Sequence, residues 1–231
     1  MAALPDETRA DIAASYGEKT ATFYDSMMEG EMQKEHVVAP LRTLADLIRG
    51  RPGALLDTSC GGGHMLEWWA ATIAKADGER PLIGRDVSTD MLAVAQRRAG
   101  KVATISEGSM TALVGIPDRS CAAVVNCFAI HHVNEEMVQQ TLSEAHRVLA
   151  DEGCLLLEWW EGEGEMDEDG EAGFVGYKNL WAKDKIVGIA AAAGLTLKKI
   201  DVVEEKEFEM MMALAHFVRA AGSTAEADAQ P

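Results

Sequence analysis

From residue 54 onward, short unbroken apolar runs alternate with longer segments whose apolar residues recur every three or four positions. The runs ALLDTS, PLIGRDVS, VATISEG, CAAVVNCFAI and CLLLEWW have strand length. The segments at about 63–76, 89–99 and 134–149 have helical periodicity. Within LLD, PLIG, AAVVNCFAI and CLLLEWW polar and apolar residues do not alternate, so these strands are expected to be covered on both faces. The pattern predicts an α/β fold: a doubly wound, mostly parallel sheet with right-handed crossovers and helices on both sides. Ser88 and Asn134 are placed to cap two of the helices, with Gly100 and Gly153 expected just past their ends. In the second of these, Val138, Leu142, Ala145 and Leu149 form the stripe expected to face the core.

The first fifty residues read as helical. Ile12, Tyr16, Phe23 and Tyr24 recur at helical spacing, and Val37, Val38, Leu41, Leu44, Leu47 and Ile48 form a second stripe, stopped by Gly50, Arg51, Pro52 and Gly53. Near the other end DKIVGIAAAAG predicts a helix closed by Gly194. The runs LTLKKIDVVE and FEMMMALAHFVRA predict an antiparallel pair at the sheet edge, with a helix as the alternative for the methionine run.

The most specific local feature is LLDTSCGGGH, residues 55–64, a buried-strand signal followed by three glycines and a helix. In an open α/β sheet ligands collect at the carboxyl ends of the strands. Gly61, Gly62 and Gly63 let backbone amides approach such a ligand, and the helix beyond adds a partial positive field. Asp86 closes the next strand 23 residues after Gly63, where a carboxylate can accept the hydroxyls of an adenosine ribose. The loop lacks the G-x-G-x-x-G spacing of a nicotinamide site, and Asp57 just before it would oppose a pyrophosphate while suiting an ammonium group. No Tyr-x-x-x-Lys pair is present to donate a proton in hydride transfer.

Composition narrows the partners. The 231 residues are 48% hydrophobic, enough for one sizeable core. A formal charge of −17 disfavours nucleic acid, whose affinity for proteins rests on Lys and Arg. The four cysteines show no C-x-x-C spacing, so neither disulfide framework nor metal is expected. A reducing, cytoplasmic setting is expected, since no apolar window approaches membrane-spanning length and the first residues do not read as a secretion signal. Seven acids crowd residues 161–171, which reads as a solvated loop or a lid attractive to cations.

Taken together, ALLDTSCGGGHML, LIGRDVSTDMLAVAQRRA, ISEGSMTAL, PDRSCAAVVNCFAIHHV and LSEAHRVLADEGCLLLE resemble, in order and spacing, the successive motifs of class I S-adenosylmethionine-dependent methyltransferases. The similarity spans roughly residues 54–158 and is greatest to the small-molecule group often called methyltransferase type 11. It implies a Rossmann-like seven-stranded sheet in the order 3-2-1-4-5-7-6 with its last strand antiparallel. It also implies an N-terminal helical cap over residues 1–50 and a cofactor-binding domain over 51–220, while the polar terminal residues 221–231 read as a disordered tail. By the same resemblance Asp57, Ser59, Gly61 and Gly63 hold the methionine part of S-adenosylmethionine, Asp86 takes the ribose hydroxyls and Val87 packs beside the adenine. Ser109 and Met110 reach the adenine edge, and Asn126 begins the stretch passing the sulfonium. Ser59 stands where the motif often has its first glycine, and Ser109 replaces an Asp.

Methyl transfer from a sulfonium needs alignment and exclusion of water more than dedicated catalytic groups. Where the acceptor must lose a proton, His131 is the candidate base, with neighbouring His132 expected to point toward the sheet. The same resemblance implies an acceptor wall of Tyr16, Tyr24, His131, Trp159 and Trp160, whereas the helical spacing of Trp69 assigns it to the core. Two other readings stay open: a methyltransferase-like module that binds cofactor or a partner without catalysis, and a dinucleotide-dependent oxidoreductase.

Overall fold

The computed structural model describes residues 6–72, 80–165, 179–206 and 209–219. Residues 166–171 of the acidic segment 161–171, the expected tail and the last part of the helix expected at 63–76 lie outside them. The chain opens with three helices, α1 (Asp6–Ser15), α2 (Glu18–Glu31) and α3 (Glu35–Leu47). Strand β1 (Ala54–Asp57), helix α4 (His64–Thr72), strand β2 (Leu82–Asp86), helix α5 (Thr89–Ala99) and strand β3 (Thr104–Glu107) follow. Then come β4 (Cys121–Cys127), a 3-10 turn at Ile130–His132, α6 (Glu135–Val148), β5 (Leu149–Glu161), α7 (Lys183–Ala192), β6 (Leu195–Glu205) and β7 (Met210–Arg219). A two-residue pair, Gly164–Glu165 with Asn179–Leu180, lies apart from the main sheet.

Seven strands form one sheet in the order β3-β2-β1-β4-β5-β7-β6. The pairings from β3 to β5 are parallel, and β7 runs antiparallel to both β5 and β6. The methionine run is therefore a strand, next to last in the sheet and paired on both sides, with Met212 and Leu214 buried. Successive strand residues face opposite layers. Leu55, Ala123, Val125 and Leu156 pack with Leu41, Leu44, Leu66 and Trp69 on the α3–α4 side. Leu56, Val124, Leu155 and Leu157 pack with Val138, Leu142, Ile186 and Ala190 on the α6–α7 side.

Helix boundaries follow the caps. Ser88 Oγ accepts from the Met91 amide at 3.2 Å and Asn134 Oδ1 from the Met137 amide at 3.0 Å, each satisfying an orphan donor of the first turn. The expected stop at Gly153 is displaced: α6 ends at Val148 and β5 starts at Leu149, so Gly153 sits inside the strand, where a Cβ would meet Ala150 O at 2.8 Å. Close backbone approach, rather than a helix terminus, requires that glycine.

Gly63 combines both reasons for having no side chain. Its φ is +82°, and a Cβ there would meet the Cα of Ala95 on α5 at 3.1 Å. Gly63→Ala is expected to destabilise the protein by about 2 kcal/mol or more, from left-handed backbone strain plus overpacking against α5. Urea unfolding checks this, with Gly188→Ala as control, since a Cβ there meets nothing within 4 Å.

Candidate functional site

The carboxyl ends of β1, β2 and β4, the turn after β4 and helices α1 and α2 enclose two adjoining cavities of about 80 and 320 Å³. Tyr16, Tyr24, Ser59, Gly61, Cys127 and Phe128 line both, so they form one cleft with a waist.

The floor is the glycine loop, whose shape depends on Asp86. Asp86 Oδ2 accepts the Gly61 N–H at 2.8 Å and Oδ1 the Ser88 N–H at 2.9 Å. With Gly61 at φ +49° the loop turns left-handed and exposes its backbone to the cleft. Asp57 ends β1 beside it, 2% exposed, and accepts the Ser59 N–H at 3.1 Å. Burial, with the nearby Asp86 adding to it, pushes the Asp57 carboxyl up to about 7 despite the Ser59 bond. Asp86 is raised too, by burial against the backbone hydrogen bonds it receives.

The smaller cavity is lined by Asp86, Val87, Ser109 and Met110, four residues proposed from sequence. The Ser109 hydroxyl lies 2.9 Å from that of Thr111, a local turn that fixes its direction. Asp57, Gly62 and His131 line the larger cavity, together with Trp160. Asn126 reaches neither cavity wall. It is 1% exposed, and its amide nitrogen donates to Thr58 Oγ1 at 2.9 Å and contacts Met110 Sδ at 3.3 Å. Asn126 thus braces wall residues from behind.

Two expectations need correction. Trp159 is not part of an acceptor wall: it is fully buried and donates its indole N–H to Trp181 O at 2.8 Å. It shares parity with Leu155 and Leu157 and so faces the α6–α7 core, while Trp160 faces the cleft. His132 does not point toward the sheet. The two histidines sit on the 3-10 turn, where neighbours diverge by roughly 120° rather than 180°. His131 therefore lines the larger cavity and His132 the smaller one, their ring centroids 4.0 Å apart.

His132 Nε2 lies 2.8 Å from the Tyr16 hydroxyl, and the Tyr16 carbonyl accepts from Ser88 Oγ at 2.8 Å. These bonds tie the N-terminal helices over the cleft. Burial, helped by Tyr24 and Asp86, pushes the Tyr16 phenol well up and keeps it neutral. On the far side Arg98 donates to Asp25 at 2.9 Å, Glu67 at 2.9 Å and Glu29 at 3.3 Å, fastening α2 to α4 and α5.

Sequence reasoning missed Phe128 and the methionines. Phe128 adopts φ +50°, unusual for a bulky residue, and its ring meets Trp160 at 4.9 Å between centroids. Within CAAVVNCFAI it read as one more strand residue. Met27, Met28, Met65, Met210 and Met212 all line the larger cavity. The clustering of methionine in MMEGEM and EMMM was the available signal, for Met makes adaptable apolar binding surfaces.

A family model described as a methyltransferase domain matches residues 55–153, which run from β1 into β5. Over this stretch, less than half of the chain, the sequence is similar to methyltransferase domains. A protein of Geobacillus sp. (strain WCH70), named as a methyltransferase, is 35% identical over 116 residues, 47% of this chain and 44% of that protein. The chain thus spans less than half the length of this curated relative. Among solved structures, a SAM-dependent methyltransferase of Methanosarcina mazei superposes with a TM-score of 0.63 at 12% identity, covering 74% of this chain and 94% of that one. Geranyl diphosphate methyltransferase in complex with SAM superposes with a TM-score of 0.61 at 15% identity, covering 79% and 85%. Both structural likenesses concern the fold alone. No helix among the described residues is long and apolar enough to cross a membrane.

Tyr16→Phe deletes only the hydroxyl on His132. The substitution is expected to lower stability by about 1 kcal/mol, the net scale of one hydrogen bond, with unchanged secondary structure by circular dichroism. Equilibrium urea unfolding measures the difference.

Proposed function

We propose that this chain is an S-adenosylmethionine-dependent methyltransferase that moves a methyl group by in-line displacement to a small, largely apolar acceptor. The observation carrying this reading is the pair of carboxyls, the buried Asp57 and the half-buried Asp86, at adjacent strand ends on either side of a left-handed glycine loop. The residues present fit such a cofactor. Gly61 has φ +49°, and a Cβ there would approach Met91 Cε to 3.2 Å, so the loop disfavours a side chain, and the buried Ser59 Oγ has no partner among the described residues. Asp57 suits the ammonium group, Ser59, Gly61 and Gly63 the methionine part, and Asp86 the ribose hydroxyls. Val87, Ser109 and Met110 suit the adenine.

When bound, the cofactor supplies a sulfonium-linked methyl group, an electrophile with a good leaving group. The chain's own task is then to align the acceptor and exclude water. Phe128, Trp160 and the methionines form an apolar wall for this, and the Tyr16–His132 bond holds the cap closed. His131, on the wall of the larger cavity, is positioned to take a proton from an acceptor that must lose one. We read residues 1–50 as the cap and 51–220 as the catalytic unit, followed by a tail. Four free thiols fit a reducing, cytoplasmic setting.

The decisive experiment supplies methyl-tritiated cofactor with panels of metabolites and scores label transfer. Binding without transfer to any panel would leave a non-catalytic binding module.

Affinity for S-adenosylhomocysteine is expected to depend on pH through Asp57. In the free protein this carboxyl is raised from 3.8 to about 7, so the fold loses stability as pH rises through that window. An ammonium partner favours the charged form, so binding expels the proton below pH 7. Affinity should rise by up to about tenfold per unit toward pH 7 and then level, and Asp57→Asn should abolish the slope. Calorimetry across pH, in buffers of different ionisation enthalpy, reads both affinity and proton release.

For a protic acceptor, His131→Asn is expected to lower kcat by about 100-fold or more and to erase the acidic limb of the pH–rate profile. A rise in KM with the limb intact assigns His131 to acceptor binding alone.

A further inference from the structure

At the mouth of the larger cavity the cap and the sheet edge bring together three side chains from distant parts of the chain. Glu31 is the last residue of α2, His36 lies in the first turn of α3 and Glu205 ends β6. All three line the cavity, and one ligand atom from each lies within 4.8 Å of the others. Glu205 is 6% exposed, so its carboxylate is held inside the protein rather than on a solvated face. Sequence spacing gave no sign of the group, because Glu31 and His36 are five positions apart and Glu205 lies 169 positions further on.

We propose that Glu31, His36 and Glu205 bind one divalent first-row metal ion, such as Mn2+ or Zn2+, at the cavity mouth. One imidazole nitrogen and two carboxylate oxygens are the donor set these ions accept, whereas an all-oxygen set would favour Mg2+ or Ca2+. Two ligand atoms about 2.1 Å from a common ion and at right angles are about 3.0 Å apart. His36 Nε2 and Glu205 Oε2 are separated by 2.8 Å, so this edge already has the required span. Lys34 Nζ sits 2.8 Å from Glu31 Oε1 and 3.5 Å from Glu205 Oε1, yet Lys34 does not line the cavity. It offsets the paired carboxylates from the outer side and leaves the inner side, with His36, for the ion.

Three protein ligands leave further coordination positions, and these face the cavity. A water or an acceptor oxygen fits there, which singles out hydroxyl- or carboxylate-bearing acceptors. That last step rests on the methyltransferase reading, whereas the ion site itself does not.

The test uses the full chain, stripped with a chelator and titrated with Mn2+ and separately with Zn2+, without cofactor or acceptor. One ion per chain is expected, bound in the micromolar range and raising the melting temperature, because ligation joins the cap to the sheet edge. His36→Asn and Glu205→Gln should each weaken binding about tenfold or more. His36 retains 31% side-chain exposure, so His36→Asn is expected to fold even where the buried Glu205 variant does not, and circular dichroism of the metal-free proteins verifies this. Absence of saturable binding at millimolar ion would overturn the proposal. So would unchanged affinity in a folded His36→Asn, which would mean that ions merely coat an acidic surface. Since neither titration involves methyl transfer, failure of the site and failure of the methyltransferase reading are separate results.

Discussion

The carboxylate of Asp86 is the constraint on which the site's architecture depends. It receives the Gly61 and Ser88 amides, so one side chain fixes both the glycine loop after β1 and the start of α5. Ser88 in turn caps α5 and donates to the Tyr16 carbonyl, and the Tyr16 hydroxyl meets His132. A continuous path of hydrogen bonds therefore runs from the loop, through the end of β2, to the helical cap and the turn after β4. Each bond alone is worth on the order of 1 kcal/mol, but together they set the width of one cleft. Asp86 thus shapes the cleft it is proposed to serve, and a loss of binding on its removal has to be apportioned between contact and scaffold.

Much of the fold was legible because buried parallel strands announce themselves as unbroken apolar runs, and because Ser88, Asn134 and Gly194 punctuate helices by local chemistry. The strand-end acids Asp57 and Asp86 and the glycine loop were legible for the same reason: their role depends on position next to a strand. The rest was set by geometry that sequence spacing does not carry. Whether Trp159 or Trp160 faces the cleft is a question of parity that one residue of register reverses. The histidines depended on whether the chain leaves β4 extended or as a 3-10 turn. Phe128 entered the wall through a positive φ that no composition rule predicts.

Strain and unfavourable electrostatics are gathered at this same end of the sheet. Asp57 is raised to about 7 and Glu158 to about 8, both by burial first, with the Asp57 charge adding to the second. Phe128 and Gly61 hold left-handed backbone there, whereas the strand centres present only apolar contacts such as Leu56, Val124 and Leu156. A sheet packed on both faces tolerates such residues because its stability is supplied elsewhere.

This division gives the buried acids a direction of response. A carboxyl held neutral by desolvation gains most from a cation delivered into its pocket, since the cation removes the penalty and adds attraction. For Asp57 the ligand's ammonium would do both at once, and the same group disfavours ligands that present a phosphate at that point. Glu158 is 1% exposed, lies beside Cys127 and lines neither cavity, so no ligand ammonium reaches it directly. Its proton is held by the protein alone, and it deepens the apolar character of the cleft wall instead of answering a charge. Two buried acids, Asp57 on β1 and Glu158 on β5 with only β4 between them, are therefore distinguished by access: one is available for recognition, the other for structure.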